Sequence, residues 1–170
     1  MLPWVKFARS YARYLENITH LPGYDHLYST DEVAMPEIKK INHIAILVED
    51  MDTSLEFWHA VLGIKPSRVT DVPQEAARIA FLPIGESEIE LVQPTTTDSG
   101  LSRFLAKRGP GMHHLCLEVT DLNGLLAQLK AGGVQLINDE PKTSEDGRLY
   151  AFIHPKSANG VLVELYQLEK

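Results

Sequence analysis

Cysteine is almost missing from this sequence. Cys116 stands alone among 170 residues, which excludes an intramolecular disulfide and fits a reducing compartment. No uninterrupted apolar run of about 18 residues occurs, so a transmembrane helix is excluded. Positive charge is in deficit as well: 16 Lys and Arg against 23 Asp and Glu leave a net charge of −7. That balance argues against nucleic acid or an anionic membrane as partner. It does not exclude an anionic small ligand, which responds to the local field of a pocket. Aromatics at 8% and apolar residues at 44% are ordinary for a soluble globular chain. The length then points to one domain, or two small modules sharing a core.

Residues 1–38 differ from the rest of the chain. Trp4, Phe7, Tyr11, Tyr14, Leu15 and Ile18 recur at helical spacing, which predicts an amphipathic helix docked on the body or on a second subunit. Lys6, Arg9 and Arg13 precede the first acid, Glu16, a pattern that an organellar targeting segment shares. A secretory signal is not expected, because no continuous apolar stretch follows the basic residues. Residues 19–38 read as a linker. We therefore expect a helical extension and linker over 1–38 and a folded domain over 39–170, cytoplasmic unless the extension addresses an organellar matrix.

From Ile41 the pattern becomes regular. Ile41–Val48 reads as a strand. Asp52 and Thr53 open a helix, with Thr53 and Glu56 at capping-box spacing; Leu55, Trp58 and Leu62 face inward and Gly63 ends it. Strands are expected around Ser67–Thr70, Arg78–Leu82 and Glu88–Gln93. A linker helix over about 98–108 starts at Asp98 and stops at Gly109-Pro110-Gly111. The order then repeats: a strand Met112–Val119, a helix Asp121–Lys130, and strands Val134–Ile137, Leu149–His154 and Gly160–Gln167. Residue types repeat too. His43-Ile44-Ala45 matches His114-Leu115-Cys116, and Glu88 to Gln93 matches Leu162 to Gln167. An internal duplication explains both, with modules at about 39–95 and 111–170.

Glu164 interrupts the apolar run Val161-Leu162-Val163-Leu165. A carboxylate buried in a strand costs several kcal/mol unless a cation or hydrogen bonds meet it. Glu90 occupies the equivalent place in the first module. Each module thus carries a His early in its first strand and a Glu in its last. If those strands pair, alternation brings both to one sheet face. Two His and two Glu then line one cavity, a donor set for a divalent transition ion: cobalt, manganese, nickel, zinc or iron(II). His113 competes with His114, but His114 is in register with His43, and neighbours in a strand face opposite ways. Cys116 shares the His114 face and is expected to be a packed thiol.

On Asn42-His43-Ile44-Ala45-Ile46, Glu88-Ile89-Glu90-Leu91, Gly111-Met112-His113-His114-Leu115, and His154-Pro155-Lys156-Ser157 with Gly160 to Leu165, the sequence resembles the vicinal-oxygen-chelate superfamily. Within it, the resemblance is to methylmalonyl-CoA epimerases, and it covers about residues 40–168. It implies an α+β fold in which two βαβββ modules form one cupped mixed sheet. It implies inversion at C2 of methylmalonyl-CoA between its (R) and (S) forms through a metal-stabilised enolate. His43, Glu90, His114 and Glu164 would be the metal ligands, with Glu164 also an acid/base. Lys156 and Ser157 would meet the anionic parts of an acyl-CoA substrate. One divalent ion per chain is implied, cobalt or manganese ahead of zinc, nickel or magnesium, and a homodimer. Some members carry a second catalytic carboxylate where this chain has Ile79; Glu75 and Glu90 are substitutes without support from spacing. Competing readings are a lactoylglutathione lyase-type isomerase on the same scaffold, and a metal-free module that sequesters an antibiotic or other small molecule. An extradiol dioxygenase, with two His and one Glu, fits poorly because a second in-register Glu is present.

Overall fold

The structure is a computed structural model that describes residues 36–144 and 147–168. The helix expected within 1–38 lies outside those residues. Eight strands form a single mixed sheet in the order β2-β3-β4-β1-β5-β8-β7-β6. The first module comprises β1 (Ile38–Leu47), α1 (Met51–Leu55), β2 (Arg68–Val72), β3 (Ala77–Ile84) and β4 (Ser87–Pro94). A linker helix, α2 (Gly100–Arg108), leads to β5 (Gly111–Val119), α3 (Leu122–Ala131), β6 (Lys142–Thr143), β7 (Leu149–Ile153) and β8 (Val163–Gln167). This is the expected α+β architecture of two βαβββ modules in one cupped sheet. No helix among the described residues is long and apolar enough to cross a membrane.

The register carries the duplication. In each module the first and last strands run parallel: β1 beside β4, with Ala45 opposite Glu90, and β5 beside β8, with Cys116 opposite Glu164. The two first strands then pair antiparallel at the centre, where His43 faces Cys116 and Ala45 faces His114. Those pairings are symmetric under exchange of the modules. Helix starts repeat as well. Asp50 caps α1 by accepting from Thr53 N, and Asp121 caps α3 by accepting from Gly124 N. Gln93 Oε1 accepts from Met51 N in one module and Gln167 Oε1 from Leu122 N in the other. Side-chain oxygens thus satisfy the first amides of both helices, which have no partner within the helix.

Three apolar clusters hold the sheet. Under α1 lie Val48, Met51, Ala80, Leu82 and Leu91, and under α3 lie Val119, Leu122, Leu126, Ala151, Val163 and Leu165. On the opposite, concave face, Ala45, Leu47, Ala77, Ile79 and Val92 pack beneath Leu101, Phe104 and Leu105 of α2. Full burial of a Leu stabilises by roughly 1.5–3 kcal/mol, so α3, with Leu122 and Leu126 both buried, is firmly tied down.

Several expectations fail in detail. Asp50, not Thr53, is the cap of α1, and no capping box forms. After Leu55 the helix widens into a π-helical segment, Glu56–Val61. That extra residue per turn breaks the 3–4 spacing, so Leu62 turns outward while Leu55 and Trp58 stay against the core. Ser99 rather than Asp98 caps α2. Val134–Ile137 makes only one bridge, Leu136 to Ile153. There Asn138 Oδ1 takes the amide of Phe152 and Pro141, with no N–H to give, interrupts the edge until Lys142.

Candidate metal centre

Four buried or nearly buried side chains converge in the cup. His43 on β1 and His114 on β5 bring their Nε2 atoms to 3.1 Å. Glu164 Oε2 on β8 lies 2.9 Å from His114 Nε2 and 3.3 Å from His43 Nε2. Glu90 Oε2 on β4 is 3.4 Å from His43 Nε2. All four expected ligands are therefore brought together, two from each module. Ligand atoms about 2.1 Å from one ion sit roughly 3.0 Å apart at octahedral angles and roughly 3.4 Å apart at tetrahedral ones. These four spacings span that interval, and imidazole with carboxylate is a donor set that suits a divalent cation.

The electrostatics describe the same competition from the proton's side. Burial works against a proton on His43, yet the hydrogen bond to Glu164 and the charges of Glu90 and Glu164 outweigh it and raise its pKa. Burial also opposes charge on Glu164, but hydrogen bonds from His114 and His43 hold its pKa down to about 2. Glu90 is pushed up, mainly by burial. Two carboxylates and two imidazoles this close share protons when no metal is bound. A cation that takes the imidazole lone pairs must displace them.

The back of each imidazole is also engaged. His43 Nδ1 lies 3.0 Å from Asn42 Oδ1; an amide oxygen only accepts, so Nδ1 carries the proton. His114 Nδ1 lies 2.9 Å from His113 Nδ1. Burial first, then the charge of His114, lowers the His113 pKa to about 4, which keeps that ring neutral and able to accept. His114, not His113, is thus the residue aimed at the centre, as register requires. Cys116 has its sulfur beside His43 and Glu164, closer to the centre than a mere core thiol. Burial drives its pKa far up, so the thiol is neutral in the metal-free protein.

Three wall residues were not singled out from the sequence. Glu118 is 4% exposed and accepts from Asn42 Nδ2 at 3.3 Å and from Lys39 Nζ at 3.1 Å. It interrupts an apolar strand as Glu164 does, so the same signal would have found it. Tyr166 and Phe152 line the second module's wall, with ring centroids 6.4 Å from His43 and 5.7 Å from His114 respectively. Lys156 and Ser157 sit apart, on the turn Pro155–Ser157. Lys156 is exposed, and Ser157 Oγ accepts from Gln135 N. Ile79 is buried in the apolar cluster beneath α2, so that position presents no carboxylate.

Residues 42–152 match the Glyoxalase/Bleomycin resistance protein/Dioxygenase superfamily. A mitochondrial methylmalonyl-CoA epimerase of Mus musculus is 35% identical over 132 residues, 77% of this chain and 74% of the relative. The chain belongs to that superfamily, and within it to the methylmalonyl-CoA epimerase family. An ethylmalonyl-CoA/methylmalonyl-CoA epimerase of Cereibacter sphaeroides is 34% identical and is covered over 99% of its length, against 77% of this chain. The solved structure of a methylmalonyl-CoA epimerase in complex with methylmalonyl-CoA and NH4+ superposes with a TM-score of 0.71 at 33% identity, covering 77% of this chain and 95% of that one. The cupped sheet is thus a scaffold that this chain shares with epimerases of the family.

Proposed function

We propose that this chain is an isomerase that inverts C2 of methylmalonyl-CoA, holding one divalent ion with His43, Glu90, His114 and Glu164. The observation that carries the reading is the convergence of those four side chains, with Nε2 and Oε2 atoms 2.9–3.4 Å apart around His43 and His114. A divalent ion there supplies charge stabilisation for the enolate oxygens that develop when C2 loses its proton. Cobalt or manganese fits the mixed imidazole and carboxylate set, with zinc, nickel and magnesium as competitors.

Glu164 is the acid/base on one face of C2. In the metal-free protein its low pKa rests on hydrogen bonds from His114 and His43. Glu75 is the acid/base for the other face. It sits on the short turn between β2 and β3, where Ala76 adopts the left-handed conformation at φ 51°. Its charge acts on Glu90 of the first module and on Tyr150 of the second, which supports that role. Glu90 itself is committed to His43. Lys156 and Ser157 meet the anionic parts of the acyl-CoA. The reading includes a homodimer, for which sedimentation equilibrium is the check, and a site of action in cytoplasm or organellar matrix.

The test is C2 proton exchange. In deuterated water, (R)- or (S)-methylmalonyl-CoA incubated with metal-saturated protein should exchange at C2 and invert, and a chelator should stop both. Absence of exchange with metal bound would remove the reading.

A further inference from the structure

In a regular strand, neighbours point to opposite faces, so residues 42 and 43 should not both address the cup. They do, because β1 carries a bulge. Ile41 pairs with Leu117 and His43 with Cys116, which leaves Asn42 as an extra residue with no partner of its own. A bulge re-aims a side chain in this way. Strand β5 carries its own bulge: Ala45 pairs with His114 and Ile46 with Met112, which makes His113 the extra residue. The two bulges are equivalent, since each immediately precedes the converging His of its module and those His are 71 positions apart. In both, the extra residue bonds the Nδ1 of the His that follows it.

The two arrangements differ behind that bond. An amide has an accepting and a donating end, and either could face His43. Glu118 decides which. A carboxylate only accepts, so it takes Asn42 Nδ2 at 3.3 Å and leaves Oδ1 for His43. Lys39, the extra residue of a further register shift in β1, holds Glu118 at 3.1 Å, and Lys40 lies 3.9 Å away. The residue equivalent to Glu118 in the first module is Leu47, which is fully buried. The fold thus accepts an apolar side chain at that place, and packing alone does not call for a carboxylate. Among the described residues His113 has no such chain; its ring is held edge-on by Phe104 of α2, with centroids 4.8 Å apart.

We propose that Asn42 backed by Glu118, and His113 backed by Phe104, are positioning residues mounted on twin bulges, which fix the rings of His43 and His114 so that both Nε2 lone pairs aim at one point. The inference rests on the reading of those His as metal ligands. A group bonded to the far nitrogen of a ligating His fixes its tautomer and raises its basicity, and losing it weakens metal binding about 10–100-fold.

The test measures Co(II) affinity by chelator competition, together with the visible absorption of the Co(II) protein and the melting temperature of the metal-free protein. Asn42→Leu and Glu118→Leu should bind Co(II) about 10–100-fold more weakly, with a shifted absorption spectrum. Glu118→Gln keeps an acceptor for Asn42 and should stay within about threefold of the parent. His113→Asn copies the first module and should do the same, whereas His113→Leu should fall about tenfold. A purely structural role would lower the metal-free melting temperature and leave affinity and spectrum unchanged, which overturns the proposal. It is equally overturned if His113→Asn binds as weakly as His113→Leu, and this conservative pair carries the test where the Leu variants fail to fold. Failure of the unmodified protein to take up any divalent ion would instead sink the metal centre itself.

Discussion

The two modules share a topology but are built to different tolerances. In the second, α3 is a regular helix that buries Leu122 and Leu126 in a cluster reaching Val163 and Leu165, the neighbours of Glu164. In the first, α1 is one turn long and gives way to a π-helical segment with Phe57, Val61 and Leu62 exposed. Its module recovers packing on the other face, where α2 covers Leu47, Ile79 and Val92. The centre nonetheless draws one imidazole and one carboxylate from each. Its geometry is therefore set by the central strands β1 and β5 and their register, which are equivalent, and not by the helices, which are not.

The sharpest way to break that equivalence is at the carboxylates. Glu164→Gln should lower the epimerisation rate by a factor of about 10²–10⁴, the range for a lost general acid/base; near-normal turnover in a coupled assay would end its assigned role. Glu75→Gln should separate exchange from inversion: one enantiomer should still wash its C2 proton into deuterated water without changing hand, as read by proton NMR and chiral analysis. Unimpaired inversion would reassign the opposite face.

Helix packing comes next in size. Leu126→Ala should destabilise by about 2–5 kcal/mol, whereas Leu62→Ala should fall within about 0.5 kcal/mol of the parent; urea unfolding distinguishes them, and equal losses would refute the contrast in packing. A smaller effect is expected from pH. In metal-free protein the raised His43 contributes stability below its ordinary value of 6.5 and loses it as pH rises through the folded pKa. Glu164 contributes above its ordinary 4.5 and loses that as pH falls toward about 2. The pair therefore supports the metal-free fold most between those ordinary values. Metal binding releases protons and strengthens as pH rises. The gap in melting temperature between loaded and metal-free protein should widen from pH 6 to 8, and a constant gap would contradict the shared-proton picture. Smallest are the caps: Asp50→Ala and Asp121→Ala should each lower the melting temperature slightly, and by nearly the same amount if the helix starts are as equivalent as their hydrogen bonds.

What the sequence makes legible is whatever repeats. His43 with His114, and Glu90 with Glu164, stand at matching places, and strand alternation then suffices to put them on one face. Alternation is also why Asn42 stayed unread: it assigns neighbours to opposite faces, and a bulge leaves no mark in residue type. Leu62 failed for a related reason, since helical spacing presumes one pitch throughout and the π-helical segment changes it. The edge of the second module was misplaced because Asn138 acts through a side-chain hydrogen bond and Pro141 through a missing N–H, neither of which hydrophobicity reports. Lys156 and Ser157 came from resemblance alone, and no contact among the described residues draws them into the cup.

The central pairing of β1 with β5 has one more consequence. Each half of the chain owns half of the proposed donor set, and the seam between the halves runs through the proposed ion site. Cleavage at the exposed Pro110, between α2 and β5, would yield two fragments that each hold one imidazole and one carboxylate of the proposed donor set. Reassembly of those fragments would then be visible as regained cobalt colour, making the ion a reporter of complementation between the two halves.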